Sequence, residues 1–205
     1  MNLRSDADGI IQESLAAILP DAAVEKALRG HTFGTGRIVL VAVGKAAWQM
    51  ARAASDELGG RIDRGIVITK YGHIKDDIPN IACREAGHPV PDANSFAATQ
   101  EALDLTEGLT AEDTVLFLLS GGGSALFEKP LIPAEELKDL TEQLLASGAD
   151  IVAVNTLRKR MSAVKGGRFA EHCAPAQVFT IVLSDILGDP LDMIASGPAY
   201  PDTST

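Results

Sequence analysis

Cysteine is nearly absent from this chain: two of 205 residues, Cys83 and Cys173, far apart in sequence. That separation fits neither a zinc-ligand pair nor a redox motif, so both read as buried or free thiols in a reducing compartment. Basic residues are also in short supply, 18 Lys and Arg against 28 Asp and Glu, for a formal net charge of −10. An acidic surface repels a phosphate backbone, which argues against nucleic acid as a partner. No apolar run approaches the roughly 20 residues that cross a bilayer. The start, Met-Asn-Leu-Arg-Ser-Asp, lacks the apolar core of a signal peptide. A cytoplasmic protein with no membrane contact is the expectation. Aromatics make up only 4%, but hydrophobic residues reach 46%, enough for the core of one large α/β domain.

What is present alternates between strand and helix patterns. Residues 37–43 (RIVLVAV) are a continuous apolar run, as in a strand buried on both faces. Helical character follows from Lys45 to Leu58, stopped by Gly59-Gly60. Further strands are expected at 65–70, near 80–85, at 114–119 and from Val178 to Leu183. Helices are expected over 93–108 after Pro91-Asp92, and from Pro133, where Glu135 and Glu136 suit the helix dipole. Residues 5–29 read as two helices separated by Pro20, a packing arm carrying Ile10, Ile11, Leu15 and Ile18. This order predicts a Rossmann-like parallel sheet with helices on both faces. The end, Pro201-Asp-Thr-Ser-Thr205, brings no closing helix and reads like part of something longer.

Ligands of open parallel sheets bind at the carboxyl ends of the strands, and three motifs fall at such ends. Val43-Gly44-Lys45-Ala46 sets an ammonium at a strand end and a helix start. A solvated lysine is the plain alternative, although the helix dipole mildly disfavours a cation there. The segment is not a Walker A loop, since the first glycine and the hydroxyl after the lysine are missing. Ser120-Gly121-Gly122-Gly123-Ser124 lets backbone amides approach an anion closely, with two hydroxyls as further donors. It is not a Gly-x-Gly-x-x-Gly fingerprint.

The third motif concentrates Arg158, Lys159, Arg160, Lys165 and Arg168 in an acidic chain and suggests a local anion site. If 151–165 is helical, Val154, Leu157, Met161 and Val164 form an inward stripe. Arg158 and Lys165 then share one face, while Lys159 and Arg160 point to a solvated one. Asn155 opens the segment, and Asp185, Asp189 and Asp192 follow its last strand. Asp185 and Asp189 are candidates to hold Mg²⁺, which takes one or two carboxylates plus phosphate oxygens and water. The alternative is that they form turns in a Gly/Pro loop. In Gly87-His88-Pro89-Val90-Pro91-Asp92, His88 could orient a substrate group or simply fill a turn. His31, His73 and His172 have no partners at useful spacing, and Trp48 reads as packing.

Five ordered segments carry a resemblance: VGKAA (43–47), GHPVPD (87–92), LSGGGSAL (119–126), VNTLRKRMSAVKGGRFA (154–170) and SDILGDPLDMIASGPAYPD (184–202). Together they resemble the glycerate 2-kinases of the MOFRL-containing type over nearly the whole chain. The resemblance implies ATP-dependent phosphorylation of D-glycerate to 2-phosphoglycerate with a divalent metal, Mg²⁺ here. It implies two Rossmann-like domains with the active site between them, this chain being the N-terminal one or most of it. By the same resemblance Lys45 and Asp185 are the candidate catalytic residues. Ser120, Gly121, Gly122, Gly123, Ser124, Asn155, Arg158 and Lys165 are candidates for phosphate or substrate, and Asp185 with Asp189 for metal. The family's chains are longer, and their C-terminal MOFRL domain is absent from these 205 residues. Residues 1–205 alone are therefore expected to turn over slowly or not at all. Homo-oligomerisation is compatible with the pattern. Some related proteins carry the label hydroxypyruvate reductase, which is the runner-up; a non-catalytic sugar-phosphate sensor is a third reading.

Overall fold

The apolar run near residue 40 becomes β1, Ile38–Val43, with every side chain buried. The structure, a computed structural model, describes residues 3–148 and 151–203. Four more strands follow: β2, Ile62–Lys70, β3, Ile81–Ala86, β4, Thr114–Ser120, and β5, Gln177–Leu183. All pair in parallel, in the order β3-β2-β1-β4-β5. The Rossmann-like parallel sheet expected from the sequence is therefore present. β2 starts three residues earlier than its apolar run, because Ile62 still pairs with Ile38 before the register shifts. Polar Asp63 and Arg64 hid that part of the strand.

Period-two alternation sends the side chains of β1 to two separate cores. Ile38, Leu40 and Ala42 meet α2, Asp21–Arg29, and α3, Ala47–Leu58, through Val24, Leu28, Trp48, Met50 and Ala54. Val39, Val41 and Val43 face α4, Ala93–Leu105, through Ala98 and Ala102. Three of the six phenylalanines gather in this second core, with Phe117 and Phe127 at ring-centroid distances of 4.9 and 5.1 Å from Phe169. Helices thus cover both faces, as predicted. Asp92 caps α4 through Ser95 in a reciprocal capping box. α4 ends at Leu105, short of the expected 108, because the Thr106 hydroxyl binds back to the carbonyls of Ala102 and Leu103.

The remaining helices are α1, Leu3–Ala17, a one-turn α5, Gly123–Leu126, α6, Ala134–Ala146, α7, Ile151–Arg160, and α8, Arg168–His172. Pro20 separates α1 from α2 as expected. Ile10, Ile11, Leu15 and Ile18 on and after α1 are exposed, so the arm's apolar side is not packed within this chain. No helix among the described residues is long and apolar enough to cross a membrane. Cys83 and Cys173 are both free, and burial pushes the Cys173 thiol up to about 12. The strand order reverses between β1 and β4, which is where an open sheet forms its ligand crevice.

Candidate active site

Three strand ends meet at that reversal. β1 runs into Gly44, whose φ of +119° no ordinary residue adopts easily. A Cβ there would overlap the Ser120 hydroxyl and backbone. The chain therefore turns tightly, and the Lys45 amide donates to the Gly121 carbonyl at 2.9 Å. This turn consumes Lys45 and Ala46, so α3 begins at Ala47 and not at Lys45. The Lys45 side chain is left half exposed, with its ammonium 3.7 Å from Asp185 Oδ2 beyond β5. Asp185 is also half exposed and rests against Gly121, where any Cβ would overlap its carboxylate. Gly122, with φ of +89°, is approached by His88 Nε2, which would be 2.8 Å from a Cβ, and by Lys45 Cγ at 3.4 Å. Lys45, His88, Asp185 and the bare backbone of Gly121–Gly122 thus form one cluster.

The two serines that bracket the glycines do not serve as free donors. The Ser120 hydroxyl is buried, donates to the Val43 carbonyl and accepts from the Ala46 amide at 3.1 Å. It staples the β1 turn to β4. Ser124 Oγ pairs with Ser196 Oγ at 2.9 Å. Gly123 needs its missing side chain because Ala195 Cβ would lie 2.6 Å from one. Ala195 and Ser196 themselves hold positive φ, a backbone strain that accompanies the close packing of this turn on the glycine loop.

The basic segment departs most from expectation. α7 stops at Arg160, and the Ala163 amide turns away to the Lys129 carbonyl at 2.8 Å. Lys165 is therefore not on the helix face of Arg158. Its ammonium is fully buried, donating to the carbonyls of Ser124 at 2.8 Å and Phe127 at 2.9 Å, with Glu128 at 3.1 Å. Lys159, expected on a solvated face, is also buried, between Asp192 at 3.7 Å and Asp202 at 3.3 Å. Arg168 donates to the carbonyls of Lys159 and Ser162. Three of the five bases thus serve protein acceptors behind the loop, and the cluster is not one open anion patch. Arg158, Lys159 and Arg160 close the last turn of α7, where the helix dipole favours cations. Arg158 and Asn155 are half-buried, and Arg158 Nε is buried without a hydrogen-bond partner among the described residues. Arg158 is near enough to Lys165 to help lower its pKa, behind burial as the larger cause.

Among the described residues no group of three or more His, Cys, Asp or Glu could hold a metal. Asp185 alone, half exposed at a strand end, fits an ion that takes one or two carboxylates and completes its shell with phosphate and water. Asp189 lines a 370 Å³ pocket with Val182, Ser184, Leu191 and Ile194, and Asp185 does not line it. A larger groove of 490 Å³ lies at the opposite end of the sheet, lined by Arg37, Arg61, Asp63, Glu112 and Asp113 among others. Its central charges are spent on each other, Arg37 pairing with Asp113 at 2.8 Å, so it offers little to a ligand.

Two histidines join the site. His73, which shows no partner in sequence, has Nδ1 2.9 Å from the Lys45 carbonyl. Burial, then the ammonium groups of Lys45 and Lys70, hold the His88 imidazole below its ordinary pKa. The sequence offered His88 either a substrate group or a turn to fill; its approach to Gly122 depends on β3 lying two strands from β1.

Residues 6–205 match the family described as a domain of unknown function, DUF4147. The chain is 53% identical to the D-glycerate 2-kinase of Thermotoga maritima, over 100% of this chain and 49% of that protein. It is 42% identical to a putative hydroxypyruvate reductase of Agrobacterium vitis, over 83% of this chain and 39% of that protein. A crystal structure of glycerate kinase from Thermotoga maritima superposes with a TM-score of 0.91 at 53% identity, covering 99% of this chain and 49% of that one. The chain spans about half the length of the curated relatives it matches.

Proposed function

From the premise that the chain belongs to the DUF4147 family, we propose that it is the N-terminal domain of a glycerate 2-kinase. In this reading it forms one wall of an active site whose other wall lies in a C-terminal MOFRL domain. The reaction is the ATP-dependent phosphorylation of D-glycerate to 2-phosphoglycerate, with Mg²⁺, in the cytoplasm. The observation that carries the reading is the meeting of Lys45, Gly121–Gly122 and Asp185 at three neighbouring strand ends, β1, β4 and β5.

Phosphoryl transfer leaves a protein little covalent work and asks it for positioning and charge. Lys45 supplies a cation free to reach the transferring group. The glycine loop supplies amide donors with no side chain in the way. Asn155 and Arg158, three residues apart on α7, share a face and add donors from the basic segment. Lys165 contributes from behind, by fixing the carbonyls of Ser124 and Phe127. Asp185 would hold Mg²⁺, with phosphate oxygens and water completing the shell, while Asp189 lines the neighbouring pocket. The ion, when bound, neutralises phosphate charge.

The test is ³¹P NMR of the intact protein with ATP, Mg²⁺ and D-glycerate. A 2-phosphoglycerate signal is expected; formation of 3-phosphoglycerate alone overturns the assignment. NADH oxidation with hydroxypyruvate in the absence of ATP would favour a reductase instead, although the loop lacks the Gly-x-Gly-x-x-Gly fingerprint of nicotinamide sites.

A further inference from the structure

Every alcohol kinase must dispose of the proton on the attacking hydroxyl, and the cluster around Gly122 contains few groups able to take it. Lys45 is a cation and carries no free lone pair. Asp185 faces that ammonium at 3.7 Å and is the carboxylate assigned to metal. His73 donates from Nδ1 to the Lys45 backbone carbonyl, and its ring is not among the groups nearest Gly121 or Gly122. His88 is the histidine that meets the loop. Its ring lies against Gly122, on the same glycine that Lys45 Cγ approaches. Neither of its ring nitrogens has a hydrogen-bond partner among the described residues. The charged and titratable groups facing it are Lys45, Lys70, Asp185 and His73. Burial, then the ammonium groups of Lys45 and Lys70, disfavour the protonated imidazole, in keeping with its open, unpartnered ring.

We propose that His88 is the proton acceptor for the substrate hydroxyl, acting beside Lys45 across Gly122. This rests on the kinase reading above. In the step, the O–H bond of the hydroxyl beside the carboxylate breaks and its proton moves to the His88 imidazole. The oxygen forms a bond to the γ-phosphorus, the bond from that phosphorus to the bridging oxygen breaks, and ADP leaves with the electron pair. The proton then passes to solvent, from which the residue is only partly buried.

The intact protein, with His88→Ala and His88→Gln, tests this by steady-state kinetics with D-glycerate and ATP. Both variants are expected to lose about 10²–10³-fold in kcat, with KM values changed only a few-fold, as for loss of a general base. Added imidazole is expected to restore part of the His88→Ala rate and none of the His88→Gln rate. Thermal unfolding checks that both variants are folded, and the bulkier Gln variant serves if the Ala variant is not. An active wild type whose variants keep kcat within about threefold, or lose activity through KM alone, overturns the role of His88 while leaving the kinase reading intact. A wild type without D-glycerate kinase activity overturns both.

Discussion

Replacing Lys165 with methionine keeps the shape of the side chain and removes its charge from a place with no water. The ammonium is 0% exposed and its partner Glu128 1% exposed, at 3.1 Å. The carbonyls of Ser124 and Phe127 lose their donor as well. Breaking a buried pair by deleting one partner costs about 3–5 kcal/mol, because the other charge is left uncompensated. A domain of this size has only about 5–15 kcal/mol to lose. Lys165→Met is therefore expected to remove roughly a fifth or more of the folding free energy. Adding Glu128→Leu removes the stranded carboxylate, and the double variant is expected to recover about 0.5–3 kcal/mol of the loss, the usual range for coupled neighbours. Urea unfolding of wild type, both single variants and the double variant, with unchanged m-values, reads the cycle. If Lys165→Met costs less than about 1 kcal/mol, or the two single losses simply add, Lys165 and Glu128 are not a coupled buried pair.

Other positions separate folding from chemistry. Gly44→Ala forces a Cβ into the Ser120 backbone at a φ of +119°; a loss of roughly 3 kcal/mol is expected, lowering Tm by about 6–12 °C, and an unchanged Tm would contradict the turn. Gly121→Ala first meets the half-exposed, movable carboxylate of Asp185. Its stability should stay within about 1 kcal/mol of wild type, while the intact protein's kinase rate falls about 100-fold as the Lys45–Asp185 geometry is lost; equal activity would detach Asp185 from the site. The Arg37 guanidinium, then the Thr110 amide, hold the Asp113 carboxyl well below the usual carboxylate range. A depressed acid stabilises the fold above its unfolded-state pKa of about 4 and loses that contribution as pH falls further. Asp113→Asn should therefore flatten the dependence of Tm on pH below about pH 4, and parallel curves for the two proteins would refute the linkage.

The strands were legible because their signal is local. β1 and β4 are buried on both faces, so each is an unbroken apolar run, and the glycines that follow mark strand ends without any knowledge of neighbours. Sequence alone therefore determined the sheet, its two covered faces and the positions of Lys45, the glycine loop and Asp185 at strand ends. It did not determine what those residues touch. The helical period predicted a shared face for Arg158 and Lys165, but the helix ended at Arg160 once the Ala163 amide found the Lys129 carbonyl. Lys165 looks like an anion ligand and Lys159 like a solvated cation until Glu128, Asp192 and Asp202 arrive from distant segments to neutralise them inside the protein. Ser120 looks like a donor until Val43 and Ala46 occupy it. A charged or hydroxyl side chain is recognisable from sequence, but whether it is spent on the protein or left for a ligand depends on partners far along the chain. Only the packed sheet, by setting β1 between β2 and β4 and β5 beyond β4, brought those partners within reach.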